Sequence, residues 1–321
     1  MTLFRFGYVA MSVHVKNSSP SQTMTYNNFL THNNREAAIR RLETLANRNI
    51  ENCIRLLKHN KAFDISLFRL SSKLIPLATH EDFTEWDYIT ATKEKLRELG
   101  TYTIENKMRV GFHPDHFVVI NSPKKDIVKN SVHTLKYHFN LLTAMGLNPK
   151  HRCVLHVGGS YGNKTNALER FIDNWSRISR RLQQMFILEN DDKTYNVEDV
   201  LYLCEKLSIP LVFDLHHHQA NHENSNWTAF WDRIVKTWAD SSLPVKVHLS
   251  SPKNEKQFRH HADFVDPTMF LDFAHKVKGS VPQVDCMIEA KQKDESLFQL
   301  VRELKSDPSI EWVNNSTMRL N

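Results

Sequence analysis

The stretch MFILENDDKTYNVEDVLYLCEKLSIPLVFDL, residues 185–215, reads as strand, helix and strand in succession. Two runs rich in Ile, Leu, Val and Phe, 185–189 and 211–215, have the length of buried strands. Between them, 197–207 carries apolar residues at helical spacing, and Asn196 with Asp199 three residues on supplies its cap. The same alternation runs outward to both ends. Further strand-like runs lie at 4–10 (FRFGYVA), 64–70 (DISLFRL), 109–113 (RVGFH), 153–157 (CVLHV), 245–249 (VKVHL) and 286–289 (CMIE). Helix-period segments fall at 34–58, 86–99, 125–145, 165–184, 228–238, 267–277 and 294–304. Eight strands alternating with eight helices predict an α/β fold, a TIM (β/α)8 barrel. Open doubly wound sheets usually carry a Gly-rich phosphate loop, and with 8 glycines this chain has neither GxGxxG nor a P-loop. Residues 14–33, the longest polar stretch, read as a loop after the first strand. With no internal repeat and no low-complexity linker, residues 1–321 read as one domain.

Composition narrows the class. Of 321 residues, 40% are apolar and 24% charged, which excludes a disordered or collagenous chain. No apolar run approaches the roughly 18 residues of a membrane span, and the N-terminus lacks the pattern of a signal peptide. Four cysteines (Cys53, Cys153, Cys204, Cys286) lie far apart without a CxxC, as expected of reduced thiols in a cytoplasmic protein. A net charge of +6 permits a polyanionic partner without demanding one. The 18 histidines are the unusual feature of the composition, because histidine is the commonest metal ligand.

Barrel chemistry sits where strands end and βα-loops begin. Here the third run ends in His113, the fourth carries His156, the fifth ends in Glu189 and the sixth in Asp214 before His216-His217-His218. The seventh carries Lys246 and His248, the eighth ends in Glu289, and His261 falls in the loop after the seventh. A lone polar residue at a strand end is usually a solvated loop residue. Six consecutive strands ending this way, at one face, point to a metal centre. Nitrogen mixed with carboxylate oxygen and no thiolate suits Mn(II), Zn(II), Fe(II) or Co(II). So many donors exceed what one ion uses, so two or three ions sharing a carboxylate are expected; such clusters serve in-line phosphoryl displacement. Read as a strand, the triple His alternates faces, so all three cannot converge.

At these residues the chain resembles the UV damage endonucleases, relatives of endonuclease IV. The stretches that carry the resemblance are FRFGY (4–8), RLSSKLIPLATH (69–80), GFHPDHF (111–117), HVGGSYGNK (156–164), LENDDKTY (188–195), VFDLHHH (212–218), KVHLSSPK (246–253), HADFVD (261–266) and MIEAKQKD (287–294). The resemblance implies a TIM barrel with two or three divalent ions, Mn(II) first, with Zn(II), Co(II) or Mg(II) as alternatives. It implies metal-hydroxide hydrolysis that nicks damaged double-stranded DNA immediately 5′ to pyrimidine dimers and 6-4 photoproducts. Carried over by position, the ligands are His113, His156, Glu189, Asp214, His217, His248, His261 and Glu289. Glu189 is the implied bridge, and the family's D-x-x-H pattern selects His217. His80 is expected near the scissile phosphate, and Lys246 matches a lysine that can be carboxylated in the family.

After the His-Pro pair the family usually carries Gln and an aromatic that wedge into the duplex; this chain has His116-Phe117. Phe117 still offers a stacking face, while His116 puts the usual lesion preference in question. Tyr8 is expected to line the lesion pocket. Lys164, Lys253 and Lys291 in βα-loops are expected to neutralise phosphates, along with Lys124, Lys125, Lys256, Arg259 and Lys293. The expected protein is a monomer acting on the nucleoid. An abasic-site endonuclease is the nearest alternative. A xylose-isomerase-type enzyme and a silent damage binder stand further off, and an amidohydrolase would need an HxH on strand one.

Overall fold

The computed structural model describes residues 1–83 and 86–320. Eight parallel strands form the barrel: β1 (Thr2–Val9), β2 (Leu67–Arg69), β3 (Arg109–Gly111), β4 (Cys153–His156), β5 (Phe186–Glu189), β6 (Leu211–Asp214), β7 (Val245–Leu249) and β8 (Gln283–Ile288). They are ordered β3-β2-β1-β8-β7-β6-β5-β4. The ring closes between β3 and β4, where Phe112 bridges Cys153 and the Val154 N–H donates to the Phe112 carbonyl at 3.0 Å.

Helices α1 (Tyr26–Leu30), α2 (Arg35–Ala62), α3 (Tyr88–Glu105), α4 (Lys125–Ala144), α5 (Lys164–Ser176), α6 (Arg180–Gln183), α7 (Val197–Leu207), α8 (Leu215–Ala220), α9 (Thr228–Thr237), α10 (Pro267–Val277) and α11 (Lys293–Leu304) follow the strands in chain order. The expected capping box at Asn196 and Asp199 opens α7. The main core lies between sheet and helices: Phe4 and Phe6, both fully buried, meet Phe270 of α10 edge-on at 5.9 and 5.1 Å.

Four local readings change. The polar stretch 14–33 contains α1, capped by the Thr25 side chain. The segment 165–184 is two helices, because Gln183 Nε2 donates to the carbonyls of Trp175 and Ile178 and turns the chain there. The triple His is helical: it lies in α8, for which Asp214 is the N-cap. Two further strands, β9 (Ile310–Asn314) and β10 (Thr317–Leu320), form a hairpin that adds antiparallel to the start of β1.

Inside the barrel, β1 turns Arg5 inward and β8 turns Asp285, paired in register. Arg5 clasps Asp285 bidentately, Nε to Oδ1 at 2.9 Å and Nη2 to Oδ2 at 2.6 Å. Arg109 adds Nη1 to Oδ2 at 2.6 Å. Burial raises the Asp285 pKa, but Arg109 and Arg5 outweigh it and hold the carboxyl below its usual range. Removing one partner of a buried pair leaves an uncompensated charge. Asp285→Asn should therefore cost about 3–5 kcal/mol at neutral pH. A depressed folded-state pKa contributes stability that is present above the ordinary aspartate value of about 4 and lost as pH falls toward the folded value. Melting curves of wild type and Asp285→Asn should thus converge on acidification; a gap independent of pH would contradict the ion-pair origin.

Candidate metal centre

Followed around the ring, the strand register climbs. Val9 pairs Arg69, and Arg69 pairs Gly111, two residues short of His113. The Phe112–Cys153 bridge then sets His113 beside Val154, two short of His156. His156 pairs Glu189; Glu189 pairs Val212, two short of Asp214; Asp214 pairs His248. His248 pairs Met287, two short of Glu289, which adjoins Val9 through the Tyr8–Ile288 pair. Four steps of two residues make the shear of eight that closes a (β/α)8 barrel. One residue from each strand, or from the residues just past it, therefore arrives at one height: Val9, Arg69, His113, His156, Glu189, Asp214, His248 and Glu289.

Glu189 is the hub of this layer. Its Oε2 accepts from His113 Nε2 at 2.8 Å and lies 3.5 Å from His156 Nε2. Its Oε1 accepts from His248 Nδ1 at 2.7 Å and lies 3.6 Å from His217 Nδ1. His248 Nδ1 also reaches Glu289 Oε1 at 3.0 Å. Three groups have donor atoms close enough to hold an ion: His113, His156 and Glu189; Glu189, Asp214 and His217; Glu189, His248 and Glu289. Glu189 is common to all three.

His217 reaches the layer from α8. Asp214 Oδ1 accepts the His217 N–H at 2.7 Å as helix cap, and the imidazole Nδ1 donates to the Asn190 carbonyl at 2.9 Å. In a helix the three histidines point about 100° apart, which is why His216 and His218 face elsewhere. His261 belongs to none of the three groups. Its ring lies 6.0 Å from that of His217, and its Nδ1 donates to the Glu289 carbonyl at 2.6 Å, leaving Nε2 as the lone-pair nitrogen.

Charge and hydrogen bonding fit a cation here. Asp214 Oδ2, His156 Nδ1 and His248 Nε2 are buried polar atoms with no hydrogen-bond partner. Three buried carboxylates this close are costly without positive charge among them. Burial raises the Asp214 pKa, and Glu189 adds to the rise. For Glu189 burial also acts upward, but His248 and His156 outweigh it and hold the carboxyl well below its usual range. Burial pushes His113 down to about 4. At His217 burial acts downward, yet Asp214 and Glu189 prevail and raise it to about 9.

Lys246 lies one inward position below His248 and pairs Asp285 in register. Burial first, then Arg109 and Arg69, push its ammonium down to about 7. It shares a narrow interior cavity with Leu67, Arg109 and Met287, beneath the ligand layer.

Two residues of the centre escaped the sequence reading. Arg69 ion-pairs with Glu289 across the small Val9 side chain. Asn190, fully buried, ties the β5 and β6 ends together: its Nδ2 donates to the Asp214 carbonyl and its Oδ1 accepts the Asp214 N–H, both at 2.9 Å. Both stand inside the quoted motifs, and Asn190 directly follows Glu189.

Around the mouth, Phe117 is 63% exposed, with the His116 ring 5.9 Å away. It is therefore free to stack. His80 joins none of the three groups; it stacks on Tyr26 at 4.1 Å and lines a groove with Phe117. Lys253 and Lys291 are exposed, whereas Lys164 is engaged by Asp199 at 2.5 Å. Tyr8 is a correction. It is fully buried on the outer face of β1, its hydroxyl donating to Asn60 of α2 at 2.6 Å and its ring against Phe68, so it cannot line a lesion pocket.

The family model described as UV-endonuclease UvdE matches residues 4–321. A UV DNA damage endonuclease of Halalkalibacterium halodurans is 48% identical over 318 residues, covering 99% of each chain. One of Bacillus mycoides is 40% identical over 317 residues, again 99% of each. The crystal structure of SacUVDE superposes with a TM-score of 0.82 at 29% identity, over 94% of this chain and 98% of that one. Endonuclease IV from Thermus thermophilus shares the fold, with a TM-score of 0.55 at 14% identity over 93% and 98%.

An ion that binds only the folded chain raises stability by mass action, about 2.7 kcal/mol at a hundredfold excess over Kd. Mn(II) should therefore raise the melting temperature of chelator-treated protein. In Glu189→Gln, with the shared carboxylate gone, most of that rise should vanish. An undiminished rise would remove Glu189 from the centre.

Proposed function

This chain belongs to the UV-endonuclease UvdE family, and we propose that it nicks duplex DNA immediately 5′ to pyrimidine dimers and 6-4 photoproducts, leaving 3′-hydroxyl and 5′-phosphate ends. The observation that carries this reading is the three donor groups that share Glu189. Two or three divalent ions, Mn(II) first, would be held by His113, His156, Glu189, Asp214, His217, His248 and Glu289, with His261 closing the set from the loop after β7. Bound there, divalent ions supply Lewis-acid stabilisation of phosphoryl charge and acidify water.

The chain's own residues supply placement. Glu189 fixes the spacing of the three groups. Asn190 and the α8 cap hold Asp214 with one oxygen turned free. Arg69 orients Glu289 and places a fixed positive charge at the mouth. Lys246 supports the layer from below. The bond broken joins phosphorus to the 3′ oxygen, and the oxygen of water ends on the 5′ phosphate.

Recognition is assigned to the rim. Phe117 enters the base stack, which is cheapest where a lesion already unstacks the duplex, and His116 stands beside it. His80, in the groove next to Phe117, is assigned to the strand near the scissile phosphate. Lys253 and Lys291 take phosphates; Lys164 contributes less because Asp199 holds it. The working form is a monomer acting on DNA in the cytoplasm. No helix among the described residues is long and apolar enough to cross a membrane.

A labelled duplex with one defined pyrimidine dimer, incubated with Mn(II), should be cut just 5′ of the dimer and spared by chelator or by Glu189→Gln. Incision at an abasic site with the dimer untouched would move the chain to the other reading of its fold. Phe117→Ala should lower kcat/KM on the dimer by about tenfold or more, since stacking of one base is worth about 1–3 kcal/mol. Lys253→Ala should flatten the salt dependence of duplex binding by about one phosphate contact.

A further inference from the structure

His216 stands between two residues of the metal centre, with both ring nitrogens bonded away from the ligand layer and its ring edge-on to His261 at 5.5 Å. It is fully buried. Its Nε2 meets the Phe258 carbonyl at 2.6 Å, and its Nδ1 meets Ser250 Oγ at 2.8 Å. A carbonyl only accepts, so Nε2 carries the proton and Nδ1 accepts from the serine hydroxyl. The Phe258 ring also packs edge-on against the imidazole at 5.8 Å.

Phe258 lies near the tip of a strap that leaves β7 and returns at His261. The foot of the strap is held by its own backbone: Pro252 bridges His261, and the Lys253 N–H donates to the His260 carbonyl at 2.8 Å. The tip, with Lys256, Phe258 and Arg259, is exposed. A 3-10 turn at Glu255–Gln257 orders it locally, and Arg259 approaches Asp192 at 3.9 Å. His216 is the buried side chain that grips it by both backbone and ring.

We infer that His216 is a positioning residue for DNA binding: it locks the basic, aromatic tip of the strap to the barrel wall, so that Lys256, Phe258 and Arg259 meet the duplex already ordered. The inference rests on the functional reading above for its substrate, but the anchoring itself does not. Ordering a loop before binding removes an entropic cost from the encounter. Loss of the anchor therefore weakens substrate binding and leaves the chemical step alone, because His261, although its ring lies 5.5 Å from that of His216, is held by its own bond to the Glu289 carbonyl and by the foot of the strap.

Two amides separate the contacts. The amide of Asn reaches only the Nδ1 position, and that of Gln can put an N–H where Nε2 was. In His216→Asn, trypsin should cut after Lys256 and Arg259 about tenfold faster than in wild type, since cleavage follows the open population of the tip. His216→Gln should restore resistance. KM for the dimer duplex should rise about fivefold in His216→Asn with kcat within about twofold, and fall back in His216→Gln. A tip as resistant in His216→Asn as in wild type overturns the inference. So does a fall in kcat at unchanged KM, which would place the effect in the ligand layer. Nitrogen-15 shifts of the wild-type ring supply a check that needs no variant: Nε2 should be protonated and Nδ1 not, and the opposite tautomer refutes the anchor. If no duplex is cut at all, the functional reading fails while the trypsin and tautomer results still decide this one.

Discussion

The slanted register of the closed sheet is the constraint on which the rest of the molecule depends. Hydrogen bonding between neighbours is local, yet the ring closes only if four register steps of two residues accumulate around it. That closure brings to one height residues whose strands have different lengths and starting points. One step below it the same register sets Lys246 level with Leu67 and Met287, and a further step down it sets Arg5, Arg109 and Asp285. The barrel interior is therefore layered: a floor of Arg5, Arg109 and Asp285, a middle level where Lys246 stands with Leu67 and Met287, and then the carboxylates and imidazoles of the mouth, with Val9 packed on Leu67 and Met287 from above.

This layering has an energetic consequence. Three acidic side chains at the mouth repel one another, and burial raises the cost. His217, Arg69 and His248 relieve part of it, at the expense of tying up donors. Divalent ions would take over that neutralisation, so metal binding and stability are coupled at this end of the barrel. Asp214 shows how the chain provides for both states. One oxygen caps α8 and the other lies buried without a partner, so the residue that starts the helix also presents a free oxygen to the mouth.

The strands were legible as short apolar runs, six of them ending in an unusual polar residue, while α7 falls where its spacing and cap put it and α10 where its spacing does. What escaped reading has physical reasons. FRFGYVA alternates Phe4, Phe6 and Tyr8 with Arg5, Gly7 and Val9, and because the barrel interior takes the charged Arg5 face, Tyr8 faces α2 rather than the barrel. Asp214 is at once a strand end and a helix cap; read as strand, the triple His alternates, whereas the capped α8 fans it out. The hairpin of β9 and β10 went unseen because β9 is largely exposed and lacks a buried face. Arg69 was hidden by its charge sign. An arginine looks like a misfit among metal ligands until the register shows it facing Glu289 across Val9.

The division between strands and loops sets how chemistry and recognition can vary. Glu189 and its neighbours hang from a hydrogen-bonded ring, where a displacement of one side chain is resisted by two adjacent strands. Phe117 and the strap after β7 sit on loops, where backbone changes are tolerated and surface is available. The loop that carries His116 can therefore vary without disturbing the layer around Glu189. Rigidity must still reach the loops, since a floating strap offers charge without register. His216 supplies that link from within the motif that supplies the metal centre. A single turn of helix thus turns Asp214 and His217 toward Glu189 and His216 toward the strap after β7.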